Sequence, residues 1–185
     1  MSRFFPHASY AEDQPLAKTI LTTHVLTRAL TTGSLIGTGV FSAQAALARF
    51  RTPAQPASAA AEALPKAATA AVKFDTARLL RTTGTSSLVT LGLISLALAG
   101  RMYGREEIEW KDRSWRVLEN QGQLETDDWA LGGVLAGVGV AAGRVGVGAL
   151  GWRGALGGAG LGSVAGMFGY LGWRYGVKGG FEEKQ

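Results

Sequence analysis

The chain has 185 residues and a formal net charge of +5; 46% of its residues are hydrophobic and only 18% are charged. It contains no cysteine, which excludes disulfides, thiolate metal sites and cysteine catalysis. Its 27 glycines disfavour a soluble helical protein, because a glycine inside a helix costs about 1 kcal/mol relative to alanine, whereas membrane helices use glycine for close packing.

Residues 1–28 are a predicted extramembrane segment. They lack the apolar core of a secretory signal, and Glu12 and Asp13 are untypical of a mitochondrial presequence. The next residues, 29–48, are free of charge, and a helix of that length rises about 30 Å, the thickness of the hydrocarbon core of a bilayer. We expect a first transmembrane helix here, with a buried helix of a soluble bundle as the alternative. Leu16, Ile20 and Leu21 recur at helical spacing, which indicates an earlier start of the helix, near Pro15.

A basic link rich in alanine and proline, residues 49–81, precedes a second charge-free run, residues 82–100. Arg81 and Arg101 bracket this run, and long basic side chains at such positions extend toward the bilayer surface. The pattern predicts a second transmembrane helix.

The linker of residues 101–128 is different, because it carries five basic and eight acidic residues. Apolar residues at helical spacing predict an amphipathic helix that ends near Gly122. Helices on a membrane surface usually have basic polar faces, so the acidic balance favours docking on another protein. The residues expected to contact that partner are Ile108, Trp110, Arg113, Trp115 and Leu118.

Two further apolar runs, residues 129–150 and 154–173, predict a third and a fourth transmembrane helix, followed by a tail of residues 174–185. The link between the two runs is short, so we expect a glycine-rich antiparallel hairpin. The sequence thus predicts an all-α integral membrane protein with about four transmembrane helices.

Glycines recur every four residues along the fourth run, which places them on one helix face, and the third run carries a matching pair. Helices in lipid associate by close packing, so these faces predict helix contacts. Packing within this chain and docking of a partner helix remain alternative interpretations. The glycines concerned are Gly133, Gly137, Gly154, Gly158, Gly162 and Gly166.

Arg144 is the one charge inside the otherwise apolar hairpin. We expect the third helix to end near it, so that Arg144 and Arg153 reach the same interface and hold an anionic lipid headgroup such as that of cardiolipin. The alternative is a mid-membrane arginine that marks a transport path.

No constellation of residues predicts chemistry. His7 and His24 are the only histidines, and neither has a partner at metal-ligand spacing. Nucleophile and phosphate-binding motifs are absent, and no Lys/Arg cluster is interleaved with aromatic residues. We therefore expect no catalytic residue, metal or cofactor, and neither a soluble substrate nor nucleic acid as a partner.

The segment EWKDRSWRVLENQGQLETDDW, residues 109–129, and the glycine-rich hairpin after it resemble the NUXM family of fungal accessory membrane subunits of mitochondrial respiratory complex I, the NADH:ubiquinone oxidoreductase. The resemblance implies a multi-pass protein of the mitochondrial inner membrane, without a redox centre, among the subunits of the membrane arm.

The Tim17/22/23 translocase group, which includes the B14.7-type subunit of complex I, is the alternative family because it also has four glycine-rich helices. Its signature has an arginine followed four positions later by aspartate, whereas here Arg144 leads to Gly148 and Arg153 to Gly157. That departure disfavours membership.

Overall fold

A computed structural model describes residues 4–51 and 75–180, and this part of the chain is built of helices. The expected all-α class is confirmed. Besides a 3-10 turn, Ala11–Asp13, and a π-helical turn, Gly172–Val177, the elements are α1 (Ala17–Arg51), α2 (Thr76–Met102), α3 (Glu107–Glu119), α4 (Gln121–Val145) and α5 (Val147–Leu171).

Helices α1, α2, α4 and α5 form a bundle in which consecutive long helices run in opposite directions. Gly33 of α1 lies beside Ser87 of α2, while Gln44 near the end of α1 accepts a hydrogen bond from Arg78 near the start of α2. Helix α5 packs against α1, α2 and α4, whereas α2 and α4 touch at few points. The bundle is therefore organised around α5.

The bundle has two ends. The α3 end combines the start of α1, the end of α2, helix α3, the start of α4 and the end of α5. The hairpin end combines the end of α1, the start of α2 and the α4–α5 connection. Helix α3 lies against α1 and the turn at Ala11–Asp13, and it closes the α3 end.

The predicted spans fall within the four bundle helices, with different limits. The run 29–48 is the charge-free part of the much longer α1, and 82–100 lies inside α2. The third helix ends at Val145, next to Arg144 as expected and short of residue 150, because Gly146 has a φ of +85° that stops the helix. The hairpin link thus lies at Gly146, inside the predicted span 129–150.

The acidic linker 101–128 contains α3 and the first two turns of α4. The amphipathic helix ends at Glu119 and not near Gly122, because Asn120 leaves the helical conformation, and its side chain accepts the N–H of Gln123 to start α4. Most of the basic link 49–81, namely residues 52–74, lies outside the described residues.

Among the described helices, α2 alone has the length and mean hydropathy expected of a membrane span. Large apolar side chains nevertheless stay exposed along the middle of the bundle. Leu93 and Leu96 of α2 are 63% and 73% exposed, and Leu135 of α4 is 77% exposed. Exposed apolar surface of this kind marks contact with a partner or with lipid.

Candidate functional site

A seam of glycines joins α4 and α5. A Cβ atom on Gly137 would lie 2.7 Å from the Cα of Gly162, and one on Gly158 would lie 2.7 Å from the Cβ of Ala141. A Cβ on Gly166 would be 3.2 Å from the Cα of Ala130. The two backbones approach so closely that only glycine fits. The structure brings together five of the six glycines of the predicted seam, which are Gly133, Gly137, Gly158, Gly162 and Gly166.

Gly154 does not take part in this seam. Its nearest contact would be the side chain of Leu150 in its own helix, at 2.9 Å. Gly151, with φ +60° and ψ 170°, interrupts the helix just before it, so the spacing of four residues no longer describes one straight face. Glycines spaced by four residues lie on one face only when the helix is unbroken, and this helix is interrupted at Gly151.

Other glycines of α5 face the remaining helices, and the sequence pattern did not assign them. Gly157 lies against the backbone of Leu80 in α2, and Gly160 lies against Ser34 of α1. Gly84 of α2 in turn leaves room for the backbone at Arg153. Helix α5 thus presents glycine to each of its three neighbours, which explains its central place.

Buried hydroxyl groups link α1 to α2 and α5. The Oγ1 of Thr31 lies 2.9 Å from the Oγ of Ser163, and the Oγ of Ser34 lies 2.8 Å from the Oγ of Ser87. Ser163 also donates to the carbonyl of Gly160 at 2.9 Å. The three serines are fully buried. Each hydroxyl of this track therefore has its hydrogen-bond partner inside the bundle.

At the α3 end, a buried carboxylate ties α1 to α4. Asp127 contacts His24 through a short hydrogen bond, and its Oδ1 lies 3.0 Å from the Nη2 of Arg28. Arg28 also donates to the carbonyl of Gln123 at 3.3 Å. His24 and Arg28 are one helical turn apart, so they approach the same carboxylate side by side. Sequence reasoning missed this cluster because 103 residues separate His24 from Asp127.

A second charged contact connects α4 to the chain after α5. The Nη1 of Arg174 lies 3.8 Å from the Oε2 of Glu125, and the neighbouring Tyr170 is 2% exposed. Trp129 and Trp173 stack obliquely beside it, with ring centroids 5.9 Å apart. Polar and aromatic contacts thus connect α4 to the residues after α5, at the end of the hairpin that is farthest from the turn at Gly146.

Three of the five residues predicted to contact a partner make contacts within the chain. Trp115 donates from its Nε1 to the carbonyl of Ala8 at 3.1 Å. The Trp110 ring lies 5.9 Å from the Nζ of Lys18. Leu118 is 4% exposed because it packs in the core cluster that includes Ile20, Leu124 and Phe5.

The other two predicted docking residues lie nearer the surface. Ile108 is 44% exposed, and Arg113 is partly exposed beside the end of α2. The amphipathic face of α3 therefore holds the N-terminal segment and α1, while Ile108 and Arg113 keep exposed surface.

The hairpin end is basic. Arg144, in the last turn of α4, and Arg153, in α5, are both exposed. The guanidinium of Arg153 lies 5.2 Å from the ring centroid of Trp152, its neighbour in the chain. The only acidic residue of this end in the described chain is Asp75, whose side chain accepts the N–H of Arg78 at 2.9 Å and caps α2. Arg144 lies at a helix end and not at the middle of the bundle.

Within residues 4–51 and 75–180, no three His, Asp or Glu side chains come together in a way that could hold a metal ion. The described clusters hold helices together by ion pairs, hydroxyl pairs and close backbone contact. Comparison with protein-family models, with curated proteins and with solved structures finds no match for this chain.

Proposed function

We propose that the chain crosses a membrane four times and acts as a non-catalytic accessory subunit of the membrane arm of mitochondrial complex I. In this role it resides in the inner mitochondrial membrane as a multi-pass protein. It stabilises or assembles its neighbours by helix packing and by docking of the linker that contains α3.

The observation that carries the membrane part is a charge-free belt shared by all four bundle helices. Residues 29–48, 82–100, 129–143 and 154–173 contain no charge, and the antiparallel packing places these segments beside each other. Each is long enough to cross most or all of a hydrocarbon core about 30 Å thick. Apart from Gln44, the large exposed side chains of the belt are apolar, and their exposure is costly in water and favourable in lipid.

The interior of the belt favours a structural role over a transport path. A path for ions or polypeptide needs polar groups that face a water-filled space. The described hydroxyls of Thr31, Ser34, Ser87 and Ser163 are paired with each other and buried. Arg144 lies at the hairpin end. The assignment to complex I rests on the resemblance at residues 109–129, and the exposed apolar Ile108 lies directly before this segment.

The natural absence of cysteine allows a direct test of the proposed membrane crossing at α4 and of the lipid exposure of α2. Single cysteines are introduced at Gln121, at Gly148 and at Leu93, and vesicles are treated with a membrane-impermeant maleimide. We expect Gln121→Cys and Gly148→Cys to react from opposite sides of the membrane, and Leu93→Cys to be protected. Labelling of the first two from one side, or rapid labelling at Leu93, would reject the topology.

The assignment to complex I is tested with the tagged full chain in mitochondria, followed on native gels. We expect it to migrate with complex I, and Ile108→Glu to reduce that fraction. Val147→Glu, an equally drastic change at the hairpin end where Val147 is 81% exposed, is the matched control. Migration of the wild-type chain as a free small species would overturn the proposal.

A further inference from the structure

An apolar groove runs along one side of the bundle between α2 and α4, with α5 as its floor. Its volume is about 460 Å³, within the range of about 300–1,000 Å³ that is typical of small-molecule sites. The groove exists because α2 and α4 hardly touch, while both pack on the glycine-rich α5. Its walls include Leu79 and Leu80 of α2, Ala136 and Val140 of α4, and Leu161 and Ala165 of α5.

Arg144 stands at one end of this groove, at the hairpin end of the bundle. It forms no ion pair with any carboxylate in the described ranges. The other described side chains of this end include the basic Arg78, Arg81 and Arg153, and the one described carboxylate, Asp75, is engaged as a helix cap. The groove therefore has apolar walls, and its mouth at the hairpin end is positively charged.

The length of the groove distinguishes a lipid tail from a helix. Along α4 it extends from Gly133 to Arg144, which are eleven residues apart and therefore about 17 Å along the helix axis. That is close to half of a hydrocarbon core about 30 Å thick, the depth of one leaflet. A transmembrane helix of a partner would need a groove through both leaflets.

We propose that this groove binds one phospholipid with an anionic headgroup: an acyl chain lies between α2 and α4, and the phosphate pairs with Arg144. The planar guanidinium suits two parallel hydrogen bonds to phosphate oxygens. Because α2 and α4 make so little direct contact, the bound chain fills the space between them and joins the two halves of the bundle.

The headgroup contact is tested on the purified full-length chain by native mass spectrometry, with phosphatidylglycerol and phosphatidylcholine of the same acyl chains as probes. We expect one bound lipid, and a preference for phosphatidylglycerol of about tenfold, the size that one charge-assisted contact supplies. Arg144→Gln abolishes the preference, whereas the control Arg105→Gln, in an exposed ion pair at the α3 end, keeps it. Retention of the preference in Arg144→Gln would overturn the proposed headgroup site.

The acyl-chain contact is tested by filling the groove. Ala165→Phe lowers binding of both lipids, and Ala136→Phe does the same from the opposite wall, so the result does not depend on the folding of one variant. Ala99→Phe, at an exposed position of α2 outside the groove, is the control and binds as the wild type does. Unchanged binding in both groove variants would overturn the proposal.

The occupant in native membranes is identified with a small diazirine side chain in place of Val140, an exposed residue of the groove wall, so that the groove stays open. Capture of phospholipid supports the proposal, and capture of a polypeptide shows that a partner helix fills the groove and rejects it. These readouts do not depend on the assignment to complex I, because lipid binding is measured on the purified chain and crosslinking reports only the groove's occupant.

Discussion

The seam between α4 and α5 makes a sharp prediction about a single methyl group. In Gly137→Ala, the new Cβ would lie 2.7 Å from the Cα of Gly162 and would also meet the carbonyl of Gly158. Carbon atoms pack best at about 3.5–4.0 Å, so the two helices must separate by about 1 Å. Overpacking of this kind costs about 1–3 kcal/mol of stability.

Gly139→Ala is the matched control, since Gly139 lies two residues further along the same helix and, among the described residues, a Cβ on it would meet no neighbouring group within 4 Å. There the new methyl group meets open space, and alanine is the better helix former by about 1 kcal/mol. The two variants therefore have the same composition and opposite expected effects on stability.

The measurement is thermal unfolding of the purified protein in a mild detergent, followed by tryptophan fluorescence. The Trp129–Trp173 pair joins α4 to the turn after α5 and reports the loss of their contact. One kcal/mol corresponds to about 2–4 °C for a chain of this size. We expect a lower midpoint for Gly137→Ala and an equal or higher one for Gly139→Ala. Equal midpoints for Gly137→Ala and the wild type would refute the described close packing.

Two further predictions concern the α3 end. Asp127→Asn removes the charge that faces Arg28 and should lower stability by about 1–3 kcal/mol in the same unfolding assay. The control Glu107→Gln removes one partner of an exposed ion pair and should change stability by less than about 1 kcal/mol. Equal losses in the two variants would contradict a special role for Asp127. Trp115→Phe removes the hydrogen bond to the carbonyl of Ala8 and should speed cleavage of the N-terminal segment by dilute chymotrypsin, and an unchanged rate would show that this bond does not hold the segment.

The helical fold could be read from the sequence because charge-free runs and their charged borders are local features. The first and last residues of the helices were harder to predict. The start of α1 at Ala17, well before residue 29, was indicated by Leu16, Ile20 and Leu21, which recur at helical spacing. The stop at Gly146 and the interruption at Gly151 depend on positive φ angles, and a sequence with this many glycines offers no way to choose those two.

The candidate site was less predictable than the fold, because its contacts are long-range. Glycines four residues apart indicated a packing face on α5 but not which helix each glycine meets, so Gly157 and Gly160 were overlooked. The ion pair of Asp127 with Arg28 joins residues on different helices. The apolar face of α3 was visible in the sequence, but the pattern alone does not distinguish a face that meets another protein from one that, like Leu118, meets its own chain.

The buried hydroxyl track has a consequence for how such a chain finds its correct arrangement. A smooth glycine surface accepts almost any helix with a face of small residues, and in the proposed membrane location that tolerance favours mispairing. The hydroxyls of Ser34 and Ser163 are more selective, because in a hydrocarbon core without water a wrong neighbour would leave them without hydrogen-bond partners. Close approach provides attraction between the helices, and the hydroxyl pairs provide discrimination among possible neighbours.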